Sequence, residues 1–540
     1  MTQTNTLYYG DNLDILRKRV QDETVDLIYL DPPFNSARDY NVLFREQSGE
    51  PAQAQIKAFT DTWQWSERAY VQFCEECPKP ALVELLQGFV KTLGRNDVTA
   101  YLVMMAPRLM ELHRVLKRTG SLYLHCDPTA SHYLKVMLDV IFGARNFKNE
   151  IIWQRITSKG NVQRKFGAVH DVLLYYAKQR GSETWNQVYR PLREEYASSF
   201  YRYVEEGTGR RYSLGDLTAP MQRASRGQIY EWRGITPPPT RCWVYSKEKM
   251  DELYAAGRIV FTKNGFPRYK RYLDEVSGEK VPDIWDDIFQ LSTKEALGYP
   301  TQKPLALLER IILASSNEDD VVLDPFCGCG TAIVAAQKLQ RRWIGIDITH
   351  LAIALIKYRL ADMFDLREGK DYQVVGEPTT VEDARTLAHH DRDEFQRWAI
   401  GLIPRARPYQ DKKGADTGID GVLFFKDDPS DPKKVVIQVK SGHVSVKDIR
   451  DFRGVIEREK ATLGLFVTLC EPTRAMLTEA QSTGFYITPL GRLHLPRLQI
   501  RTIEQLLRGE GFQIPGAAML MGVSRADRVQ QEVWQGELEM

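Results

Sequence analysis

Asp31-Pro32-Pro33-Phe34 closes the apolar run Val25–Leu30. An acid, two prolines and an aromatic at a strand end suit one task, which is to hold an aromatic amine. Such an amine attacks poorly because its lone pair is delocalised into the ring. The Asp31 carboxylate and the Pro32 carbonyl are two acceptors for its two N–H bonds. That grip favours a more tetrahedral nitrogen with its lone pair aimed outward. The prolines fix the turn, and Phe34 offers a face for a ring to stack on. A plain buried strand end would explain the prolines but not the acid and aromatic that flank them.

A second turn follows far along the chain, Val321-Val322-Leu323-Asp324-Pro325-Phe326-Cys327-Gly328-Cys329-Gly330-Thr331. Gly328 and Gly330 can take backbone conformations that bring N–H groups close to a ligand. A helix opening at Thr331 points its N-terminus at the same place. Asp347 ends the next strand, where a nucleotide-binding α/β sheet sets an acid against ribose hydroxyls. A nucleotide-like cofactor fits this set. An ordinary strand–helix junction is the bland alternative.

A third constellation lies near the far end. Gly418-Ile419-Asp420-Gly421 precedes one strand, and Gln438-Val439-Lys440 ends the next. Asp420, Gln438 and the Val439 carbonyl can hold a hard divalent cation such as Mg²⁺ through oxygen. Lys440 can steady an attacking water and developing phosphate charge. Asp416 competes with Asp420 for the metal, and a buried strand beside an Asp-Gly turn is the alternative reading.

Alternating strands and helices must position these residues. Residues 7–11, 25–30, 121–125, 147–156, 171–177, 321–323 and 343–348 read as strands. Residues 98–118, 129–142, 304–316, 331–339 and 349–363 read as helices. The rhythm breaks over 185–290, which reads as a small irregular insertion with Pro237-Pro238-Pro239 inside it. There Arg202, Arg210, Arg211, Arg223, Arg226, Arg233 and Arg241 interleave with Tyr201, Tyr203, Tyr212, Tyr230, Trp232 and Trp243, a pattern suited to phosphate contact and base stacking. Beyond 380 a new unit has a helix at 392–402 and strands at 421–425, 435–439 and 463–469. The expected organisation is a core half at 1–184, the insertion at 185–290, a cofactor half at 291–380, a separate domain at 385–495 and an extension at 496–540.

With 540 residues the chain exceeds one core. No stretch of 18 apolar residues exists, which argues against a membrane partner. Met1–Thr6 is polar and shows no signal-peptide pattern. The seven cysteines form no disulfide framework, which suits the cytoplasm. Cys74-x-x-Cys77 lacks a second pair for structural zinc. A net charge of +2 does not by itself announce a nucleic-acid binder.

The motif set resembles the amino-group DNA methyltransferases (adenine-N6 or cytosine-N4) of the permuted class, in which the catalytic motif precedes the cofactor motif. The matches are Gly10-Asp11, Asp31–Phe34, Gly120–His125, Thr301-Gln302-Lys303-Pro304, Asp324–Thr331 and Gly345–Asp347. The resemblance implies a doubly wound Rossmann-like α/β sheet and S-adenosyl-L-methionine as cofactor. It sets Asp11 near the cofactor adenine, has Thr301, Lys303 and Pro304 line the pocket, and makes the insertion the target-recognition region for double-stranded DNA. Asp at position 31 resembles the adenine-N6 enzymes more than the cytosine-N4 ones. Members of this class often pair, so a homodimer is an expectation, working beside a prokaryotic nucleoid. Residues 385–495 resemble the Mrr-like branch of the PD-(D/E)xK nucleases, an α/β fold in which Gln438 stands where Glu is usual. That resemblance gives Glu394 the acid role of the preceding helix. A fused modification and restriction enzyme, a methyltransferase whose appended domain only binds DNA, and a decayed sensor all remain open at this point.

Overall fold

The structure is a computed structural model that describes residues 5–33, 65–156, 164, 166–223, 228–289, 291, 295, 297, 301–409, 418–428, 431–488 and 493–515. Phe34, Arg226 and Asp416 lie outside the described residues. In chain order the first body runs β1 (Thr6–Tyr9), α1 (Asn12–Arg19), β2 (Val25–Leu30), α2 (Asp97–Val115), β3 (Leu116–Cys126), β4 (Phe147–Gln154), β5 (His170–Ala177), β6 (Ile284–Trp285), α3 (Leu305–Ser315), β7 (Val321–Asp324), α4 (Thr331–Lys338), β8 (Arg342–Asp347), α5 (His350–Phe364) and β9 (Gln373–Val375).

The nine strands form one sheet in the order β6-β4-β5-β3-β2-β7-β8-β1-β9. β5 pairs antiparallel with both neighbours, and every other ladder of this sheet is parallel. All six residues of β2 and all four of β7 are buried, as a parallel strand covered by helices on both faces demands. One face buries Ile28, Leu30, Leu122 and Leu124 against Leu102, Met105 and Leu109 of α2. The other face carries Tyr29, Tyr123 and His125, because side chains alternate along a strand.

Helix α2 ends at Val115 rather than continuing to 118. The chain there is drawn into sheet pairing, with the Thr24 N–H donating to the Val115 carbonyl (3.0 Å) and Val25 in register with Leu116. Residues 131–138 are α-helical and 139–143 widen to a π-turn within the expected helix.

Residues 187–282 form a compact unit of their own. It is not the irregular insertion that the sequence predicts, since it contains a four-stranded sheet, a helix at Lys247–Ala255, and a core of Leu217, Trp232, Trp243, Met250 and Ile259. Much of its arginine–aromatic pattern serves the unit itself. Trp232 and Trp243 are buried, Arg210 pairs with Asp274 (2.7 Å) and Glu275 (2.8 Å), and Arg241 donates to Thr218. Arg202 and Arg233 remain exposed, stacked over Tyr203 and Tyr254 respectively.

The C-terminal part contains α6 (Arg392–Gly401), β10 (Arg407–Pro408), β11 (Gly421–Asp428), β12 (Asp431–Lys440), α7 (Val446–Arg458), β13 (Leu463–Thr468) and β14 (Leu498–Thr502). Five of its strands form one sheet in the order β10-β11-β12-β13-β14, with antiparallel β11–β12 feeding parallel β12–β13–β14. Val435, Ile437 and Val439 pack under Phe395, Trp398 and Ile400 of α6. Val436 faces Ile449, Phe452 and Val455 of α7 on the other side. Among the described residues no helix is long and apolar enough to cross a membrane.

Candidate active sites

The sheet order does what the sequence could not show directly. β2 and β7 lie side by side, with Leu323 opposite Ile28, so the turns after them emerge together at the carboxyl edge. Ligands of open α/β sheets bind at such an edge. Asp31 follows β2 and Asp324 ends β7. Lys303 reaches across from the segment before α3, and its Nζ pairs with Asp31 Oδ2. A motif 272 residues along the chain thus places a cation on Asp31.

The glycine turn is built tightly. Gly328 and Gly330 both have positive φ, +49° and +76°. Gly330 is the N-cap of α4 in the left-handed region, and a Cβ there would fall 2.5 Å from Ile356 Cγ1. Asp324 Oδ1 accepts from the Phe326 N–H (3.0 Å). Burial pushes the Asp324 carboxyl well above the carboxylate range. Asp347 Oδ2 accepts from the Gly328 N–H (2.8 Å), while its Oδ1 accepts from the Thr349 N–H and hydroxyl (both 2.9 Å). Its burial still outweighs these bonds and pushes its pKa up to about 6. Thr331 opens α4 and is buried, and Arg359 donates to its hydroxyl (3.3 Å) and to the Cys329 carbonyl (2.8 Å).

Other expected residues divide. Asp11 caps α1 at the Leu13 N–H (2.9 Å) and pairs with Arg108 (2.7 Å). Beside it, Asn12 Nδ2 donates to the Pro325 carbonyl (2.8 Å) and Asn12 Oδ1 accepts from Arg108 Nε (2.6 Å), tying the start of α1 to the glycine-turn segment. Pro304 is the N-cap of α3, Gln302 binds the Leu297 N–H and Glu295 carbonyl, and Thr301 is exposed.

One group went unread in the sequence. The Tyr29 hydroxyl lies 2.9 Å from His125 Nδ1, and His125 Nε2 lies 3.2 Å from Asp171 Oδ2. Arg155 pairs with the same carboxylate (3.3 Å). This buried row lies on the face of Asp31, since Tyr29 precedes it by two residues. His125 closes the Gly120–His125 match, but nothing in the sequence joins it to Tyr29 and Asp171.

In the C-terminal sheet, Asp420 Oδ2 accepts from the Val439 N–H (2.7 Å) and the Asp420 N–H donates to the Ile437 carbonyl (2.9 Å). Asp420, Gln438 and Lys440 therefore meet at one end of β11–β12. Gln438 is buried and lies near Gly418. Glu394 is not gathered with them. Its carboxylate accepts from the His350 N–H (2.6 Å) and from Arg397 (2.6 Å). Its helix covers the Val435, Ile437 and Val439 face, opposite to that of Gln438 and Lys440. Among the described residues no group of three or more His, Cys, Asp or Glu is poised to hold a metal.

Residues 25–357 match the family model for DNA methylase, of the N6 and N4 amino type, and residues 389–490 match the model for restriction endonuclease. The chain is 32% identical to the type II methyltransferase M.EcaI of Enterobacter cloacae over 363 residues, covering 66% of this chain and 69% of that protein. It is 29% identical to the StyLTI Mod subunit, a type III restriction-modification enzyme of Salmonella typhimurium, across 62% of this chain and 50% of that one. It is 24% identical to the DNA adenine methyltransferase YhdJ of Escherichia coli, across 68% and 86%. Among solved structures it is similar to the cytosine-N4-specific PvuII DNA methyltransferase, with 12% identity, coverage of 66% and 86% and a TM-score of 0.33.

Proposed function

Because the chain belongs to the DNA methylase family, we propose that its two motif turns form one site that methylates the exocyclic N6 of adenine in double-stranded DNA. The carrying observation is the adjacency of the strand ends before Asp31 and after Val321–Leu323. Adenine is supported by the acid at position 31 and by the name of the Escherichia coli relative. The base must leave the duplex to reach such an edge. Asp31 and the Pro32 carbonyl then hold its two N–H bonds and aim the nitrogen. The pair with Lys303 engages Asp31 Oδ2, so the amine takes the other oxygen. As the nitrogen commits its lone pair, Asp31 is the acceptor in line for the proton it releases.

The residues present fit S-adenosyl-L-methionine. The α4 N-terminus suits its carboxylate, and the buried Asp347 carboxyl suits ribose hydroxyls. Asp324, Pro325, Phe326 and Gly330 shape the turn between them. When bound, it supplies the methyl group. The protein's part is alignment of nitrogen and methyl carbon, a factor of large effect. Nucleoside mass spectrometry of DNA incubated with the full chain and S-adenosyl-L-methionine tests the target. N6-methyladenine is expected, and N4-methylcytosine in its place would overturn the adenine assignment.

The restriction-endonuclease part supports a restriction-modification role. In our reading it cleaves DNA with Mg²⁺ held by Asp420, Gln438 and the Val439 carbonyl, while Lys440 steadies the attacking water. One carboxylate and an amide make a weakly charged donor set, which implies a millimolar metal requirement rather than a tightly held ion. The same thin donor set favours the second reading, a domain that binds DNA without cutting. A restriction-modification role supports a reading in which the protein works in the prokaryotic cytoplasm at the nucleoid. The class implies a homodimer, which sedimentation of the full chain checks.

A further inference from the structure

Glu394 belongs to the C-terminal part by sequence, yet its carboxylate works in the methyltransferase. It accepts the His350 N–H at 2.6 Å, the first amide of α5. A carboxylate at a helix N-terminus satisfies an orphan donor and meets the positive end of the helix dipole. His350 stands three residues after Asp347, and between them Thr349 gives its N–H and hydroxyl to Asp347 while capping α5 at Ala352 (3.2 Å). The same short loop thus bears the ribose acid on one side and the Glu394 contact on the other.

The loop has little slack. The His350 ring is buried, stacked on Tyr9 at 3.8 Å, and its Nδ1 meets Glu377 at 3.3 Å. Tyr9 ends β1, and the next N–H, that of Gly10, donates to the Asp347 carbonyl (2.9 Å). Glu394 is itself fixed: Asp391 caps its helix at the Glu394 N–H (2.9 Å), and Arg397 holds its other oxygen. Further along, Gly401 of α6 lies against Ala354 of α5, and Arg405 pairs with Asp365 (3.0 Å). The far side of α6 carries Ile400, whose Cγ1 and Cγ2 approach a Cβ placed on Gly421 to 3.2 Å, next to Asp420.

We infer that Glu394 is a positioning residue of the methyltransferase, through which cofactor occupancy at Asp347 is linked to α6 and to the nuclease-like sheet it covers. The inference rests on the cofactor reading of Asp347 given above. A cofactor that orders the Asp347–His350 loop strengthens the Glu394 contact, and by reciprocity that contact strengthens cofactor binding. The C-terminal part is then a component of the cofactor site rather than a passenger.

Hydrogen exchange on the full chain tests this, with S-adenosylhomocysteine as a probe that cannot react. In the wild type the probe should slow exchange of the α6 amides, residues 392–401. In Glu394→Ala that protection should vanish, and the probe's Kd from calorimetry should rise about fivefold. Glu394→Gln keeps an acceptor for the His350 N–H and should restore most of both effects, which a general loss of packing would not allow. Saturating cofactor should return methylation by Glu394→Ala to the wild-type rate, so the defect sits in KM. Wild-type α6 amides that ignore a probe shown by calorimetry to be bound would overturn the inference. Failure of the wild type to bind the probe at all would instead remove the cofactor reading beneath it, and the inference with it.

Discussion

Asp347 is the residue whose ionisation should be most visible. Burial raises its pKa to about 6, from 3.8. Ribose hydroxyls donate to a carboxylate better than to a carboxylic acid. Cofactor affinity should therefore be flat above pH 6 and weaken up to tenfold per unit below it. The sign for folding is opposite. An acid whose folded pKa is raised binds its proton better when folded, so stability falls as pH rises from about 4 to about 6, by at most about 3 kcal/mol. Calorimetric Kd values and urea midpoints from about pH 4 to about pH 8 check both trends, and Asp347→Asn should flatten them. At this scale the sequence located Asp31, Asp324 and Asp347 at strand ends, because apolar runs closing on an acid are local patterns. It did not reveal Tyr29–His125–Asp171 or Asn12–Arg108. Those partners sit on separate strands and helices, and only sheet order brings them together.

At the scale of elements, the glycine turn gives the sharpest expectation. Gly330 has φ +76°, and a Cβ there would meet Ile356 at 2.5 Å. Gly330→Ala should cost about 1–3 kcal/mol from backbone strain alone, read as a lower urea midpoint, and should weaken cofactor binding by distorting the α4 N-terminus. Buried parallel strands were the most legible elements, since continuous apolar runs such as Val25–Leu30 admit few alternatives. The insertion reads as irregular in sequence because its strands are two to six residues long and rich in Arg and Tyr, and its core depends on tryptophans that resemble stacking surfaces. Helix α7 carries Ile449, Phe452, Val455 and Ile456 at helical spacing, a signal present in the sequence and passed over.

For the whole molecule, each region has its own task, and Glu394 joins the C-terminal part to the cofactor site. Exchanging residues 187–282 for those of a relative should move methylation to another sequence, as phosphate contacts set affinity and base-edge contacts set specificity. Persistence of the original site would put recognition elsewhere. Lys440→Ala should stop plasmid nicking in millimolar Mg²⁺ while methylation continues, and equal nicking by wild type and variant would remove the nuclease assignment. The central claim is that Asp31 grips the target amine at an edge it shares with the glycine turn. Tritium transfer from S-adenosyl-L-methionine to DNA by Asp31→Ala, alongside its calorimetric Kd, tests that most directly. The account predicts transfer lowered by at least 10²-fold, in the range lost with a group that positions a reacting atom, with Kd within about twofold of wild type. Near-normal transfer, or loss of cofactor affinity together with activity, would contradict it.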